Sequence, residues 1–311
     1  MPEMFRIGEG SKPLKIGVAG CGGAGCNSLK FVAGHLGIET FALNGNRRKG
    51  LGKLAGHSML VPDYELLGAS ETDPRIPVAG LMRSATALAE EISGIDVFFP
   101  VCGLGGDSGW RSAALASRVA KEAGALSVCV AIFPFSVEAP ARRAAALEQA
   151  KTLRTLCDGL LVLHNDRISA IAPKLPFLRA LEIVSELALL LPHELAAAGT
   201  KGDAPALKSI FSRASYMKTD VTTVDCGDGG AELARALVGS EWMDLDAKCI
   251  KSALLLVGGE GEGGDVEGVA AGLRKVAPSM EALAFGRGGG SEPGGRKVRA
   301  CAVFGMKGEL H

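Results

Sequence analysis

Two glycine-rich turns contain the residue types that could hold a phosphate group. The first is Gly20-Cys21-Gly22-Gly23-Ala24-Gly25, and the second is Gly103-Leu104-Gly105-Gly106-Asp107-Ser108-Gly109. Each turn follows an apolar run typical of a buried strand and precedes a helical pattern. Backbone N–H groups and a helix N-terminus at such a turn can bind phosphate. The second turn is unusual because it carries an acid and is followed directly by Trp110 and Arg111.

The first turn alone fits the G-x-G-x-x-G pattern of dinucleotide-binding proteins, which is a weak signal. A dinucleotide site would also need an acid after the second strand to bind the ribose. That strand instead ends in Leu43-Asn44-Gly45-Asn46, without a carboxylate. A tight strand-to-helix turn would also explain the glycines. An NAD-dependent oxidoreductase is therefore one alternative, and a second glycine turn at the same place in a sheet argues against it.

The elements around these turns predict an α/β fold. Short apolar strand patterns occur at 15–19, 39–43, 96–101, 126–133 and 160–164. Helical patterns separate them at 24–35, 78–93, 109–123 and 140–156. This alternation predicts a parallel sheet that is covered on both faces. Ligands of such sheets bind beyond the carboxyl ends of the strands, where both glycine turns are expected.

The second part of the chain has a different pattern. A long apolar helix is predicted from Phe177 to about Leu191, ending near Pro192. Residues 206–311 then predict a smaller α+β domain. Its strands are expected at 214–225, 252–257, 281–286 and 297–304, its helices at 229–238 and 265–276, and glycine-rich exposed loops at 258–264 and 286–295.

Composition excludes several classes of protein. The 311 residues include 34 basic and 34 acidic side chains, so there is no basic excess for binding nucleic acid. The eight cysteines are scattered without a C-x-x-C pair, which indicates reduced core thiols and neither a metal site nor a disulfide framework. No apolar run approaches the length of a membrane span, so no direct membrane insertion is expected. A cytoplasmic protein is predicted.

Several further motifs follow the two turns or lie between them, in a definite order along the chain. Asp73-Pro74 comes after the second strand, the segment 134–142 reads Pro-Phe-Ser-Val-Glu-Ala-Pro-Ala-Arg, and Asn165-Asp166-Arg167 follows the fifth strand. Together with the turns, this order resembles the tubulin/FtsZ superfamily over residues 14–306. The resemblance implies an FtsZ/tubulin-like fold. Its parts would be an N-terminal extension (1–13), a GTPase-type nucleotide-binding domain (14–175), a central helix with a catalytic-type loop (176–205) and an α+β C-terminal domain (206–311).

The resemblance also implies a site for GTP or GDP, with Mg²⁺ as a companion ion. Glu138 would accept hydrogen bonds from the ribose, Asn27 and Asn165 would bind guanine, and Phe177 would stack near the base. The implied nucleotide-binding residues are Gly20, Gly22, Gly23, Gly25, Asn27, Asn44, Gly103, Gly105, Gly106, Asp107, Ser108, Gly109, Glu138, Arg142, Asn165 and Phe177. Without the other motifs, the i, i+4 spacing of Glu138 and Arg142 would indicate only a surface ion pair on a helix.

The phosphate-binding part of this site departs from the family. Asp107 stands where the family has a glycine, and a carboxylate within ~4 Å of a phosphate costs on the order of a few kcal/mol at an effective dielectric near 20. The loop must then move, recruit a cation or give up the triphosphate. Arg111 could reach a phosphate or pair with Asp107. Asn46 replaces an acid that could contact magnesium, and Leu181 replaces a residue that reads guanine.

The catalytic part departs as well. In the family, a loop of the neighbouring subunit supplies two acids that polarise the attacking water. Only Asp203 remains here as the implied catalytic residue, since Lys201 and Ala206 replace the other two positions of the motif. Loss of one such acid typically lowers the rate a hundredfold or more. The resemblance thus implies a cytoskeletal protein that binds guanine nucleotide and assembles with itself head to tail, with reduced hydrolysis. A non-hydrolysing scaffold of the same fold is the alternative within the family.

Overall fold

The computed structural model describes residues 2–45, 55–61, 83–225, 229–258, 266–288 and 297–310. Its strands are β1 (Glu3–Ile7), β2 (Ile16–Cys21), β3 (Ile38–Asn44), β4 (His57–Leu60), β5 (Val97–Gly103), β6 (Leu126–Phe133), β7 (Gly159–His164), β8 (Tyr216–Asp225), β9 (Ile250–Gly258), β10 (Ala282–Arg287) and β11 (Lys297–Met306). Its α-helices are α1 (Gly22–Ser28), α2 (Arg83–Glu91), α3 (Ser108–Glu122), α4 (Pro140–Leu156), α5 (Asn165–Ile171), α6 (Phe177–Ala188), α7 (Leu190–Ala198), α8 (Ala204–Ser212), α9 (Gly229–Val238) and α10 (Val266–Val276). The motif residues Asn46, Asp73 and Pro74 lie outside the described residues, as does most of the two predicted glycine-rich loops.

The chain divides into two compact units. The N-terminal unit consists of residues 14–192, and the C-terminal unit combines residues 2–13 with 193–309. The predicted N-terminal extension therefore belongs to the same unit as the end of the chain. Among the described residues, no helix is both long enough and apolar enough to span a membrane.

The N-terminal unit contains the predicted parallel sheet. Its strand order is β7-β6-β5-β2-β3-β4, and all neighbouring strands run parallel. Every residue of β2 and β6 is buried. Because successive side chains of a strand point to opposite faces, this pattern shows that the sheet is covered on both sides. The edge strand β4, which alternates between half-buried and exposed residues, was not predicted.

The C-terminal unit contains a mixed sheet in the order β1-β10-β9-β11-β8. The first three strands are parallel, and β11 is antiparallel to both of its neighbours. Apolar residues of α9 and α10, such as Leu237 and Leu273, belong to the same core as Leu255 and Phe304 of the sheet. The α+β fold predicted for this part of the chain is thus present. The mostly exposed β1 was not predicted because it lacks a buried apolar pattern.

The prediction of one long helix from Phe177 to about Leu191 is wrong. Helix α6 ends at Ala188, and Leu189 leaves the helical region with φ −105° and ψ 3°. A new helix, α7, then begins at Leu190. Pro192 lies in the first turn of α7, where its missing N–H breaks no helical hydrogen bond. The proline therefore follows the beginning of a helix and does not end one.

The side chain of Asp203 connects two segments of the C-terminal unit through hydrogen bonds. It ends a short 3₁₀ helix, Lys201–Asp203, whose N-cap is Thr200. The Oδ2 atom of Asp203 accepts hydrogen bonds from the N–H of Thr200 (2.6 Å), the hydroxyl of Thr200 (3.0 Å) and the N–H of Gly8 (3.0 Å). Asp203 is buried. Its carboxylate thus satisfies donors of the chain itself, a use that commonly stabilises a helix start.

Helix α1 crosses strand β5 at very short range. A Cβ atom on Gly25 would lie 2.0 Å from the carbonyl oxygen of Val101, and one on Gly20 would lie 2.6 Å from the carbonyl oxygen of Gly25. No side chain fits at either position. These two glycines therefore set how closely the first turn approaches the middle of the sheet.

The variant Gly25→Ala should be strongly destabilised, because its methyl group would overlap the backbone of β5. Overpacking of this kind costs about 1–3 kcal/mol or more. We expect the melting temperature measured by calorimetry to fall by roughly 5 °C. Gly106→Ala is the matched control, since a Cβ there has no neighbouring atom within 4 Å. Equal melting temperatures for the two variants would contradict the close crossing.

The variant Asp203→Ala should lower the stability of the C-terminal unit. It leaves the N–H groups of Gly8 and Thr200 without their acceptor, and an unsatisfied buried donor, such as the N–H of Thr200, costs about 1–3 kcal/mol. We expect urea denaturation to show a loss of about 3 kcal/mol. Glu241→Ala, which removes an exposed acid of the same unit, should change stability by less than about 0.5 kcal/mol. If Asp203→Ala is as stable as the wild type, the carboxylate does not have this structural role.

Candidate functional site

Four strand-to-helix junctions meet at the carboxyl edge of the parallel sheet. Strands β2 and β7 run directly into α1 and α5, while β5 and β6 reach α3 and α4 through short loops. All four strands are neighbours in the sheet. The topology therefore brings separate stretches of the sequence together at one edge, as is usual for parallel α/β proteins.

The two glycine turns pack directly against each other at this edge. Gly22 has a φ of +67°, and a Cβ on it would lie 2.6 Å from the Cα of Gly109. A Cβ on Gly109 would in turn lie 3.3 Å from the carbonyl oxygen of Cys21. Only glycine satisfies both the conformation and the spacing at Gly22. The backbones of the two turns thus form one continuous surface.

A cavity of about 660 Å³ opens beside this surface. Six of the predicted nucleotide-binding residues line it: Asn27, Gly103, Glu138, Arg142, Asn165 and Phe177. They come from five separate segments of the chain, and all of them belong to the N-terminal unit. The structure therefore brings together residues that the sequence places up to 150 positions apart.

Asn165 contributes an unused polar atom to this cavity. The residue begins α5 and is only 6% exposed. Its Oδ1 atom is buried and has no hydrogen-bond partner among the described residues. A buried acceptor without a donor is unfavourable unless a ligand or water supplies the donor. Asn27, which is exposed, adds a second amide to the same cavity.

Phenylalanine and leucine side chains form another part of the lining. The rings of Phe135 and Phe177 lie with their centroids 5.2 Å apart. Leu178 and Leu181 also line the cavity, although they are 75% and 36% exposed. The position of Leu181 at the cavity agrees with its predicted place beside the base, whereas Leu178 was predicted only as part of an apolar helix. The helical spacing of Leu178 from Leu181 and Ser185, which line the cavity as well, was the signal that could have identified its ligand-facing side.

Glu138 and Arg142 form an ion pair that also borders the cavity. Their Oε2 and Nη1 atoms lie 3.0 Å apart, at the i, i+4 spacing predicted for a surface pair. The other carboxylate oxygen of Glu138 accepts a hydrogen bond from the N–H of Phe135 at 2.9 Å. Both interactions hold Glu138 in place beside the cavity. The ion pair and a ligand-binding role are therefore compatible.

A charged cluster at the rim was missed by sequence analysis. Glu182 pairs with Lys30 at 3.1 Å and with Arg179 at 3.0 Å, and both Glu182 and Lys30 line the cavity. The hydrogen bond from Arg179, followed by that from Lys30, lowers the pKa of Glu182 below its usual value. Lys30 and Glu182 lie 152 positions apart, so only folding brings them together.

The second glycine turn places its unusual residues at the start of α3. Asp107 is the exposed N-cap of this helix and makes no side-chain cap. The guanidinium of Arg111 lies over the ring of Trp110 at 5.5 Å, and no ion pair joins Arg111 to Asp107, both of which the structure describes. The buried Nε1 of Trp110 and the Nδ2 of Asn44 have no partner in the described part of the chain.

The other predicted residues have different positions. Outside the cavity lining lie Gly20, Gly22, Gly23, Gly25, Asn44, Gly105, Gly106, Asp107, Ser108 and Gly109. Asp203 belongs to the C-terminal unit, where it is buried in its capping interaction. The roles of these residues toward a ligand stay predictions. No group of three or more His, Cys, Asp or Glu side chains that could hold a metal ion occurs among the described residues.

Several known proteins resemble this chain. The family model "Tubulin/FtsZ family, GTPase domain" matches residues 71–173. Cell division protein FtsZ 1 of Pyrococcus abyssi is 31% identical over 267 residues, which cover 83% of this chain and 71% of the relative. Cell division protein FtsZ of Methanothermobacter thermautotrophicus is 30% identical over 269 residues, covering 84% and 70%.

Solved structures show the same fold. An empty FtsZ dimer from M. jannaschii has a TM-score of 0.76 at 23% identity, covering 94% of this chain and 88% of that chain. A GTPgS-bound protofilament of CetZ2 from Haloferax volcanii has a TM-score of 0.70 at 18% identity, covering 95% and 94%. These findings favour the FtsZ-like interpretation over the Rossmann oxidoreductase. On the strength of the sequence identity to FtsZ across most of both chains, this chain belongs to the tubulin/FtsZ family.

Proposed function

We propose that this chain is an FtsZ-like cytoskeletal protein that binds a guanine nucleotide in the cavity and assembles head to tail into filaments. The observation that carries the proposal is the convergence of six predicted residues, from five segments, on one cavity of about 660 Å³. That volume suits a nucleotide-sized ligand. Family membership supports the choice of a guanine nucleotide.

The lining supplies complementary groups for each part of such a ligand. The amides of Asn27 and Asn165 offer donors and acceptors to a base edge, and the rings of Phe135 and Phe177 offer an apolar face. The carboxylate of Glu138 can accept hydrogen bonds from ribose hydroxyls. Its pairing with Arg142 holds this acid beside the ligand. The phosphates would then extend toward the joined glycine turns, whose N–H groups are suited to anions.

Self-association is supported by the relatives. One similar structure is an FtsZ dimer and another is a CetZ2 protofilament. A head-to-tail contact that does not close on itself produces a filament. The curated relatives are named as cell division proteins, which supports a cytoskeletal role for this chain. Its cytoplasmic location stays a prediction.

The position of Asp203 supports slow hydrolysis. One oxygen of this carboxylate already accepts three hydrogen bonds, and the residue is buried. A catalytic acid must be within reach of water in the reacting complex. Neighbouring Lys201 and Ala206 supply no second acid. The same observation favours the second candidate, a scaffold that binds nucleotide without turning it over. Phosphate release measured on pelleted filaments would separate the two.

Mg²⁺ would be held mainly by the nucleotide phosphates, as is common for this ion. Asp107 is the acid on the second glycine turn that could add a protein ligand, since its carboxylate is exposed and makes no side-chain cap. Without the ion, the same carboxylate would repel a phosphate.

The variant Asn165→Leu should weaken binding of GDP at least tenfold, because the cavity loses its buried acceptor and amide donors. Isothermal titration of GDP, with ATP and NAD as comparisons, measures the effect. Ser185→Ala is the matched control, since Ser185 lines the cavity but bonds its hydroxyl to the carbonyl of Leu181. Unchanged GDP affinity in Asn165→Leu, or tighter binding of NAD than of GDP by the wild type, would contradict the proposed function.

The variant Asp107→Gly should bind GTP more tightly when EDTA removes divalent ions. A carboxylate near a phosphate at an effective dielectric near 20 costs on the order of a few kcal/mol, so we expect a gain of about tenfold or more. Asp107→Asn removes the charge but keeps the side chain, and should show a similar gain. Unchanged or weaker GTP binding by both variants would show that Asp107 does not face the phosphates.

A further inference from the structure

The loop that joins β5 to α3 is held by a side chain of a different helix. The amide of Gln149, on α4, makes two hydrogen bonds to its backbone. Its Oε1 accepts from the N–H of Gly105 at 2.7 Å, and its Nε2 donates to the carbonyl oxygen of Gly106 at 3.0 Å. A backbone N–H can only donate and a carbonyl can only accept, so this pairing also fixes the orientation of the amide.

Two further contacts complete the restraint on this loop. The N–H of Leu104 donates to the carbonyl of Ile132, at 2.9 Å. Gly105 has a φ of +81°, and a Cβ on it would lie 2.4 Å from Cγ of Arg142. Three consecutive residues of the loop are therefore fixed by β6 and α4.

This arrangement changes which backbone groups are offered to a ligand. The N–H of Gly105, predicted as a phosphate donor, points to Gln149. The next N–H groups are those of Gly106 and of Asp107, the N-cap of α3, followed by those of the first turn of α3, which have no acceptor within the helix. With the carbonyl of Gly106 turned to Gln149, the peptide N–H of Asp107 on the same peptide plane points away from Gln149.

We propose that Gln149 is a positioning residue that holds the loop 103–108 in its binding conformation before a nucleotide arrives. This inference rests on the proposed function as far as nucleotide affinity is concerned. The loop conformation itself does not depend on it. A preformed loop loses less conformational freedom on binding, so the contribution of Gln149 should appear in the affinity for GDP.

The test uses Gln149→Met, which keeps the length of the side chain but makes neither hydrogen bond. Hydrogen exchange followed by mass spectrometry on peptides that cover residues 103–109, without nucleotide, should become about tenfold faster. That is the size expected for two hydrogen bonds of ordinary net strength. The affinity for GDP should fall by a similar factor. Glu148→Gln is the matched control on the same helix, since Glu148 is exposed and pairs with Lys151, and it should change neither quantity.

Gln149→Glu provides a readout that a general packing defect would not produce. An ionised carboxylate accepts from Gly105 but faces the carbonyl of Gly106 with a second acceptor, whereas the protonated acid restores the donor. The GDP affinity of this variant, relative to the wild type, should therefore be higher near pH 4, where a glutamic acid of ordinary pKa is mostly protonated, than at pH 8. GDP binding is measured by the fluorescence of Trp110 in a Trp242→Phe background. If Gln149→Met does not fold, this measurement on Gln149→Glu still tests the proposal.

The outcomes separate the two proposals. Faster exchange in Gln149→Met with weaker GDP binding supports the inference. Unchanged exchange of the loop overturns it, as does a pH-independent affinity ratio for Gln149→Glu. If the wild type binds no guanine nucleotide, the proposed function fails, and the exchange measurement alone still decides whether Gln149 holds the loop.

Discussion

The close approach of two glycine turns at one edge of the parallel sheet is the constraint on which the N-terminal unit depends. Gly25 allows α1 to touch the backbone of β5, and Gly22 allows the first turn to touch the second at Gly109. A side chain at any of these positions would separate the two turns. Because the cavity lies beside them and shares Gly103 with the second turn, the shape of the candidate site follows from backbone packing before any ligand-binding side chain is considered.

Local sequence signals were sufficient for this part of the fold. Five of the six strands of the sheet are short, apolar runs bounded by glycine or polar residues, and the structure places their ends within about two residues of the prediction; the edge strand β4 lacks such a run and was not predicted. The carboxyl-edge rule then indicated the edge of the sheet beside which the cavity lies. The break between α6 and α7 was missed, since a proline signals the end of a helix or its first turn equally well. Only the backbone angles at Leu189 distinguish the two cases.

Side-chain roles were harder to predict because the partners are distant in sequence. Asp203 contacts the backbone 195 residues away, and Gln149 contacts a loop 44 residues away. No periodicity or spacing reports such contacts. The leucines of α6 show a related difficulty, since helical spacing reveals that Leu178 and Leu181 share a face but not whether that face meets a core or a cavity. Exposure in the folded unit settles the question.

The residues proposed for nucleotide binding and the residue predicted for hydrolysis lie in different units. Changes that affect one of these two activities could therefore leave the other unaffected. The cavity and all its lining residues belong to the N-terminal unit, whereas Asp203 and the altered positions beside it belong to the C-terminal unit. In the C-terminal unit, the carboxylate of Asp203 has a structural task that is independent of any nucleotide. Its retention therefore needs no catalytic explanation. Position 206 also lies in the C-terminal unit and outside the cavity lining, so the proposed reduction of hydrolysis would leave the proposed ligand site unchanged.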